Sequence, residues 1–152
     1  MARIIENVQL DFDDVLIQPR RSTLASRKDA NIVRDYEFTV SSNNKIILTG
    51  TGIMNANMGT VGNFAIAKQM VQQGLFATLH KHYTVDELYN FFTKDMEHLT
   101  KEKVFVSIGL RSGDYEKLVE LRNRLLDYSF SLSICIDVPN AYIPQVKELV
   151  IT

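Results

Sequence analysis

The stretch Leu75-Phe-Ala-Thr-Leu-His-Lys-His-Tyr-Thr-Val-Asp-Glu87 decides the fold. Leu75–Leu79 is a short apolar run without alternation, which reads as a buried strand. Thr84 followed three residues later by Glu87 is a capping box, so a helix opens there, with Leu88, Phe91 and Phe92 behind it. Between the two lies a polar junction, His80–Tyr83. The pattern is strand, loop, helix, and it repeats outward in both directions. Upstream, Asn63 to Gln73 has helical spacing, with Phe64, Ala67, Met70 and Val71 on one face and Gly74 placed as a C-cap. Ile46 to Met54 reads as a strand before that helix. Downstream come a strand at Val104–Ile108, a helix over Ser112–Asp127 with Leu118, Leu121 and Leu125 on one face, a strand at Ser131–Val138, and the opening of a helix at Ile143–Val150.

The order βαβαβαβα, with a strand every 25 to 30 residues and strands that are apolar without strict alternation, predicts an α/β fold with a parallel sheet covered on both faces. An open doubly wound sheet and half of a (β/α)₈ barrel fit this periodicity equally. In both, a site lies at the C-terminal ends of the strands. The first 45 residues differ. Asp11–Pro19 is a short apolar stretch ended by proline, Arg20–Lys28 is a polar, basic surface loop, and Ile32–Val40 alternates loosely as one arm of a hairpin, with a turn at 41–44.

The chain has 152 residues, of which 17 are Lys or Arg and 18 Asp or Glu, for a formal charge of −1. That balance excludes nucleic-acid binding driven by counterion release from a basic face. Apolar content of 45% excludes a disordered chain. A single cysteine forms no internal disulfide. The N-terminus has no signal-peptide core, and no apolar run reaches the roughly 20 residues that span a bilayer. A soluble cytoplasmic protein is expected.

Four strand-to-helix junctions carry the candidate chemistry. Asn55–Gly62 is rich in small residues that admit a ligand close to the backbone or simply form a turn; it matches neither a Walker loop nor G-x-G-x-x-G. In His80–Tyr83, Lys81 suits a phosphate or carboxylate, against the alternative of a solvated lysine between hydrogen-bonded histidines; no third metal ligand accompanies the histidines. Asp137, at the end of an apolar strand, serves equally as a hydrogen-bond acceptor, a general base or a helix cap. Gly109–Gly113 offers Arg111 to an anion or to solvent. Cys135, inside its strand, reads as an inert small hydrophobe.

Together these segments resemble the GMP reductase branch of the IMP dehydrogenase/GMP reductase family. The matching stretches are Leu10–Leu24, Ser26-Arg27, Ala56–Gly62, His80-Lys-His-Tyr83 and Ile136–Tyr142, in family order from about residue 3 to about residue 150. The resemblance implies the first half of a (β/α)₈ barrel, with residues 1–45 as an N-terminal extension packing on it and 46–152 as its first four β/α units. It implies NADPH-dependent reductive deamination of GMP to IMP and ammonia, usually by a tetramer. By the family pattern, Lys81, Asp137, Val138 and Pro139 match NADPH-binding positions. Ser26 and Arg27 match a dipeptide that reaches the cofactor of a neighbouring subunit. Asn57 and Met58 match the loop lining the purine nucleotide site. No metal site is implied by the retained residues.

The departures are specific. Gly59 replaces the family's Asp, Gly52 its Pro, Asn55 its Ala or Ser, Pro139 its Ala, and Ala141 its Gly. Pro139 removes a backbone N–H, and Ala141 matters if that position needs positive φ. The family's nucleophilic cysteine loop and its phosphate-binding glycines match nothing in this sequence, and Cys135 does not stand in for the former. The expectation is a truncated chain, inactive alone. The alternatives are a non-catalytic half-barrel that binds cofactor or associates with itself, a complementing half or a full-length relative, and a degenerate product without function.

Overall fold

A computed structural model describes residues 7–41 and 44–151; Ser42 and Asn43 of the turn expected at 41–44 lie outside the described residues. The chain forms two compact units, Met1–Asn31 and Ile32–Thr152. In the first, two short 3₁₀ turns, Phe12–Asp14 and Arg27–Asp29, are each closed by a capping box. Asp11 and Ser26 accept from the turn's amides, and Asp14 and Asp29 accept from the cap residue's own N–H. Arg20–Lys28 is exposed, as its polarity requires.

The second unit opens with an antiparallel hairpin, β1 (Val33–Ser41) and β2 (Asn44–Thr51), in a register that sets Val33 opposite Thr51 and Phe38 opposite Ile46. It continues with α1 (Phe64–Gln72), β3 (Ala77–Leu79), α2 (Val85–Asn90), β4 (Val104–Ile108), α3 (Asp114–Arg124), β5 (Ser133–Ile136) and α4 (Pro144–Ile151). The strands β3, β4 and β5 form a parallel sheet in that order.

One expected strand is corrected. The apolar run Ile46–Met54 predicts the first parallel strand, yet most of it is the second arm of the hairpin; only Met54 bridges Phe76 in parallel. The reason is visible side chain by side chain. Leu48 is buried and its neighbour Ile47 is 58% exposed, the period-two signature of a one-sided antiparallel pair. Gly50 then lets the hairpin approach the sheet: a β-carbon there would lie 2.7 Å from the Gly74 carbonyl oxygen. Thr51 N–H donates to that same oxygen at 3.0 Å, and Phe76 N–H to the Ile53 oxygen at 3.0 Å.

The helix signals hold. Gly74 follows α1 with φ +75°, and Asn63 caps its start by accepting from Ile66 N–H. Thr84 and Glu87 form the expected box. Gly113, at φ +91°, starts α3 two residues later than the spacing suggested. Beyond α2 the chain widens into one π turn, Phe91–Asp95, which delivers Phe91, Phe92 and Met96 fully into the core.

One face of the sheet (Ala77, Leu79, Val104, Val106) packs against Ala67 and Val71 of α1, Leu88 of α2, Leu121 of α3, and Phe91, Phe92, Met96 and Leu125. On the opposite face Thr78 and Ser107 are buried too. Among the described residues no helix is long and apolar enough to cross a membrane. Leu79→Ala, which empties the centre of this core, is expected to cost about 2–5 kcal/mol, read as a fall in the urea midpoint at unchanged slope.

Candidate functional site

Buried parallel strands carry their charged side chains at their ends, and residues of three strand-to-helix loops converge there. Asp137 directly follows β5, and its N–H donates to the Ile108 oxygen at 2.7 Å, extending the ladder by one residue. Its carboxylate meets the Lys81 ammonium at 3.0 Å, with the two side chains 38% and 29% exposed. The Asn57 side chain also acts to stabilise the charged carboxylate. The Lys81 hydrogen bond comes first in holding the Asp137 carboxyl below the ordinary aspartate range; burial opposes it, and Asn57 and His82 assist. Lys81, Asp137 and Asn57, three of the residues expected at the site, are therefore brought together.

The other expected residues divide. Val138 is half-buried beside Asp137, Pro139 is exposed, and Met58 is 63% exposed on the 55–62 loop. Ser26 and Arg27 lie in the first unit, where Ser26 caps its own turn.

Two residues that spacing did not single out organise the cluster. Asn55 clasps the end of β3: its side-chain oxygen accepts from Thr78 N–H at 3.0 Å, and its amide donates to the oxygens of Thr78 (2.8 Å), Val61 (3.1 Å) and Ala56 (2.9 Å). An Ala or Ser makes none of this double contact with Thr78. Lys117, half-buried on α3, donates to the Lys81 carbonyl oxygen at 2.8 Å. Burial lowers its pKa, while Asp114 and Glu87 pull it back.

His80 stacks on Tyr83 (4.1 Å between centroids), and Tyr83 stacks on Phe64 (3.7 Å). The His80 Nδ1 atom accepts from His82 N–H at 3.3 Å, which leaves Nε2 as the protonated nitrogen of the neutral ring. Burial first, then His82, pushes the His80 pKa below its ordinary value. The histidines are thus hydrogen-bonded and stacked, and no group of three or more His, Cys, Asp or Glu side chains converges among the described residues. The Gly109–Gly113 loop is already occupied: one Asp114 carboxylate oxygen accepts from both Gly109 N–H (3.0 Å) and Arg111 N–H (3.1 Å).

The substituted positions acquire physical readings. At Gly52 the space for a β-carbon is filled by the Tyr36 hydroxyl. At Gly59 it is open, so sterics do not demand glycine there. Ala141 has no positive φ, so that position requires no glycine.

No protein-family model matches the chain. It is 37% identical over 150 residues to GMP reductase 2 of Bos taurus, covering 99% of this chain and 41% of that protein. It is 39% identical over 140 residues to the GMP reductase of Klebsiella pneumoniae, covering 92% and 38%. The crystal structure of inosine 5′-monophosphate dehydrogenase from Legionella pneumophila superimposes with a TM-score of 0.62 at 24% identity, over 91% of this chain and 38% of that one, which shows the α/β fold of parallel β/α units. The chain is a partial homologue of the GMP reductases, spanning about two fifths of the length of the curated relatives it matches.

Two outcomes follow from this geometry. Asn55→Ala strands the Thr78 backbone and is expected to cost about 1–3 kcal/mol in urea unfolding. Because the folded-state pKa of His80 is lowered, the unfolded chain binds the extra proton first; stability is full above the unfolded value of 6.5 and falls as pH drops below it. His80→Gln should flatten that limb of a Tm-against-pH curve.

Proposed function

We propose that this chain forms the cofactor-side wall of a cytoplasmic, GMP reductase-like purine nucleotide site. The observation that supports the reading best is the Lys81–Asp137 ion pair, held with Asn57 at the C-terminal ends of parallel strands. A half-buried acceptor beside a half-buried cation suits a dinucleotide, which offers hydroxyl and amide donors to the one and phosphate oxygens to the other. In this reading Lys81 takes a phosphate oxygen of NADPH, Asp137 accepts from ribose or amide groups, and Val138 and Pro139 line the same edge. Pro139 contributes shape and a carbonyl but no N–H. Asn57 and Met58 face the purine nucleotide, and Ser26 and Arg27 serve the cofactor of a neighbouring copy. When bound, NADPH supplies the hydride for reductive deamination of GMP to IMP and ammonia.

The same reading assigns no turnover to these residues alone. The single thiol, Cys135, lies half-buried within β5 rather than on a strand-end loop, so no nucleophile faces the purine from this chain. A second reading, association with itself, a complementing half or a full-length relative, is favoured by one feature. β5 ends the sheet among the described residues, and Ile134 on it is 39% exposed beside a groove lined by Leu118, Leu125, Leu132 and Leu149.

NADPH fluorescence titration tests the first reading. The purified chain is expected to bind, and Lys81→Met or Asp137→Asn should each weaken binding about tenfold, one charge-assisted hydrogen bond's worth. With GMP added, nicotinamide absorbance should stay constant. A wild-type chain that ignores NADPH sinks the binding reading, and steady absorbance loss sinks the assignment of no turnover.

A further inference from the structure

The turn His80–Tyr83 carries the ammonium of the proposed cofactor site, and its backbone is held from three sides. His80 N–H donates to the Gly62 oxygen at 2.9 Å, which ties the turn to the first strand-end loop. The Tyr83 hydroxyl accepts from Phe64 N–H at 3.3 Å, which ties it to the start of α1. From the third side comes the Lys117 ammonium, reaching from the first turns of α3 to the Lys81 carbonyl oxygen at 2.8 Å. Lys117 is an unusual choice for this task. Half-burying an ammonium is costly, and nearby Asp114 and Glu87 only partly offset it. A residue used only to cover the helix face would be apolar.

Resting on the cofactor-side reading above, we infer that Lys117 is a positioning residue: by fixing the Lys81 carbonyl, it aims the Lys81 ammonium at Asp137. The chain of contacts is continuous, from α3 through the Lys117 ammonium to the Lys81 backbone, and from the Lys81 side chain across 3.0 Å to the Asp137 carboxylate. Lys117 reaches Asp137 only through Lys81. The groups that act on the Asp137 carboxyl are Lys81, Asn57 and His82, whereas the charge of Lys117 acts on His80 and Glu87. Lys117 is not among the groups that act on the Asp137 carboxyl, so its contact with Asp137 runs through the Lys81 turn.

The test reads Asp137 directly and needs no ligand. Carboxyl ¹³C titration by NMR should show the Asp137 midpoint rising to the ordinary aspartate range in Lys117→Met and staying depressed in Lys117→Arg, which keeps a cationic donor on a stem of similar length. NADPH affinity should fall about tenfold in Lys117→Met and recover in Lys117→Arg. An unchanged Asp137 midpoint in folded Lys117→Met overturns the inference, and so does equal loss in both variants. If Lys117→Met fails to fold, the wild-type chain decides. The Lys81 carbonyl ¹³C shift should follow the Lys117 titration, and a carbonyl indifferent to it refutes the contact. Failure of the cofactor reading is separate: it appears as absent NADPH binding by the wild-type chain, with the Asp137 result intact.

Discussion

Parallel pairing of Ala77–Leu79 with Val104–Val106, sealed on both faces, is the constraint on which the rest depends. All three residues of β3 and four of the five in β4 are buried, so neither strand has a solvent face to which polar side chains could be relegated. Each strand must satisfy its backbone through its neighbours, and apart from the buried hydroxyls of Thr78 and Ser107 its polarity lies at its ends. The helices α1, α2 and α3 supply one cover, with the π turn at Phe91 adding the buried rings of Phe91 and Phe92. Lys81 follows β3 and Asp137 follows β5, the two strands that flank β4, and their side chains meet across its end at 3.0 Å. Asn57 joins them from the loop that follows the hairpin and the Met54–Phe76 bridge.

The parallel units were legible because their signals are local. A capping box, a glycine after a helix and an apolar pentad each act within a few residues, and Thr84, Gly74 and Val104–Ile108 declared themselves. The hairpin was only half legible. Ile46–Met54 is apolar enough for a buried parallel strand, and its alternation, Ile47 out and Leu48 in, is blurred by two glycines that carry no side chain to mark a face. What assigned it to the hairpin was a non-local partner, β1, and close approach at Gly50. The candidate site divides on the same line. Lys81 and Asp137 stand at strand ends and could be found by position. Asn55 and Lys117 act through backbone atoms of other segments, Thr78 and Lys81, and a sequence carries no mark of a side chain's reach to a distant carbonyl.

The positions at which the resemblance implies a departure from the family pattern also become local physics. Tyr36 of the hairpin fills the space at Gly52, so any side chain there would meet the tyrosine hydroxyl. Asn55 binds both backbone groups of Thr78 and the oxygens of Val61 and Ala56, and so ties the loop that carries Asn57 to the end of β3. Gly59 and Ala141 are different: neither is imposed by space or by φ. Their effect is the loss or gain of a side chain at the surface, with the backbone unaltered.

Which strand end can receive an anion follows from what each has already accepted. The loop after β4 has its two amides on Asp114, and Arg111 beside it is exposed, so an incoming anion would have to displace a carboxylate held by two hydrogen bonds of its own helix. At His80 the ring nitrogen facing the backbone is committed to His82 N–H, and protonation there breaks that bond. Lys81 is the exception. Its partner is a carboxylate more than a third exposed, and an exposed ion pair is worth at most about 1 kcal/mol, so a phosphate can compete for the ammonium while Asp137 turns to a hydroxyl or amide donor. In the proposed cofactor-side site, the Lys117 hydrogen bond to the Lys81 carbonyl holds the backbone while only side-chain partners change.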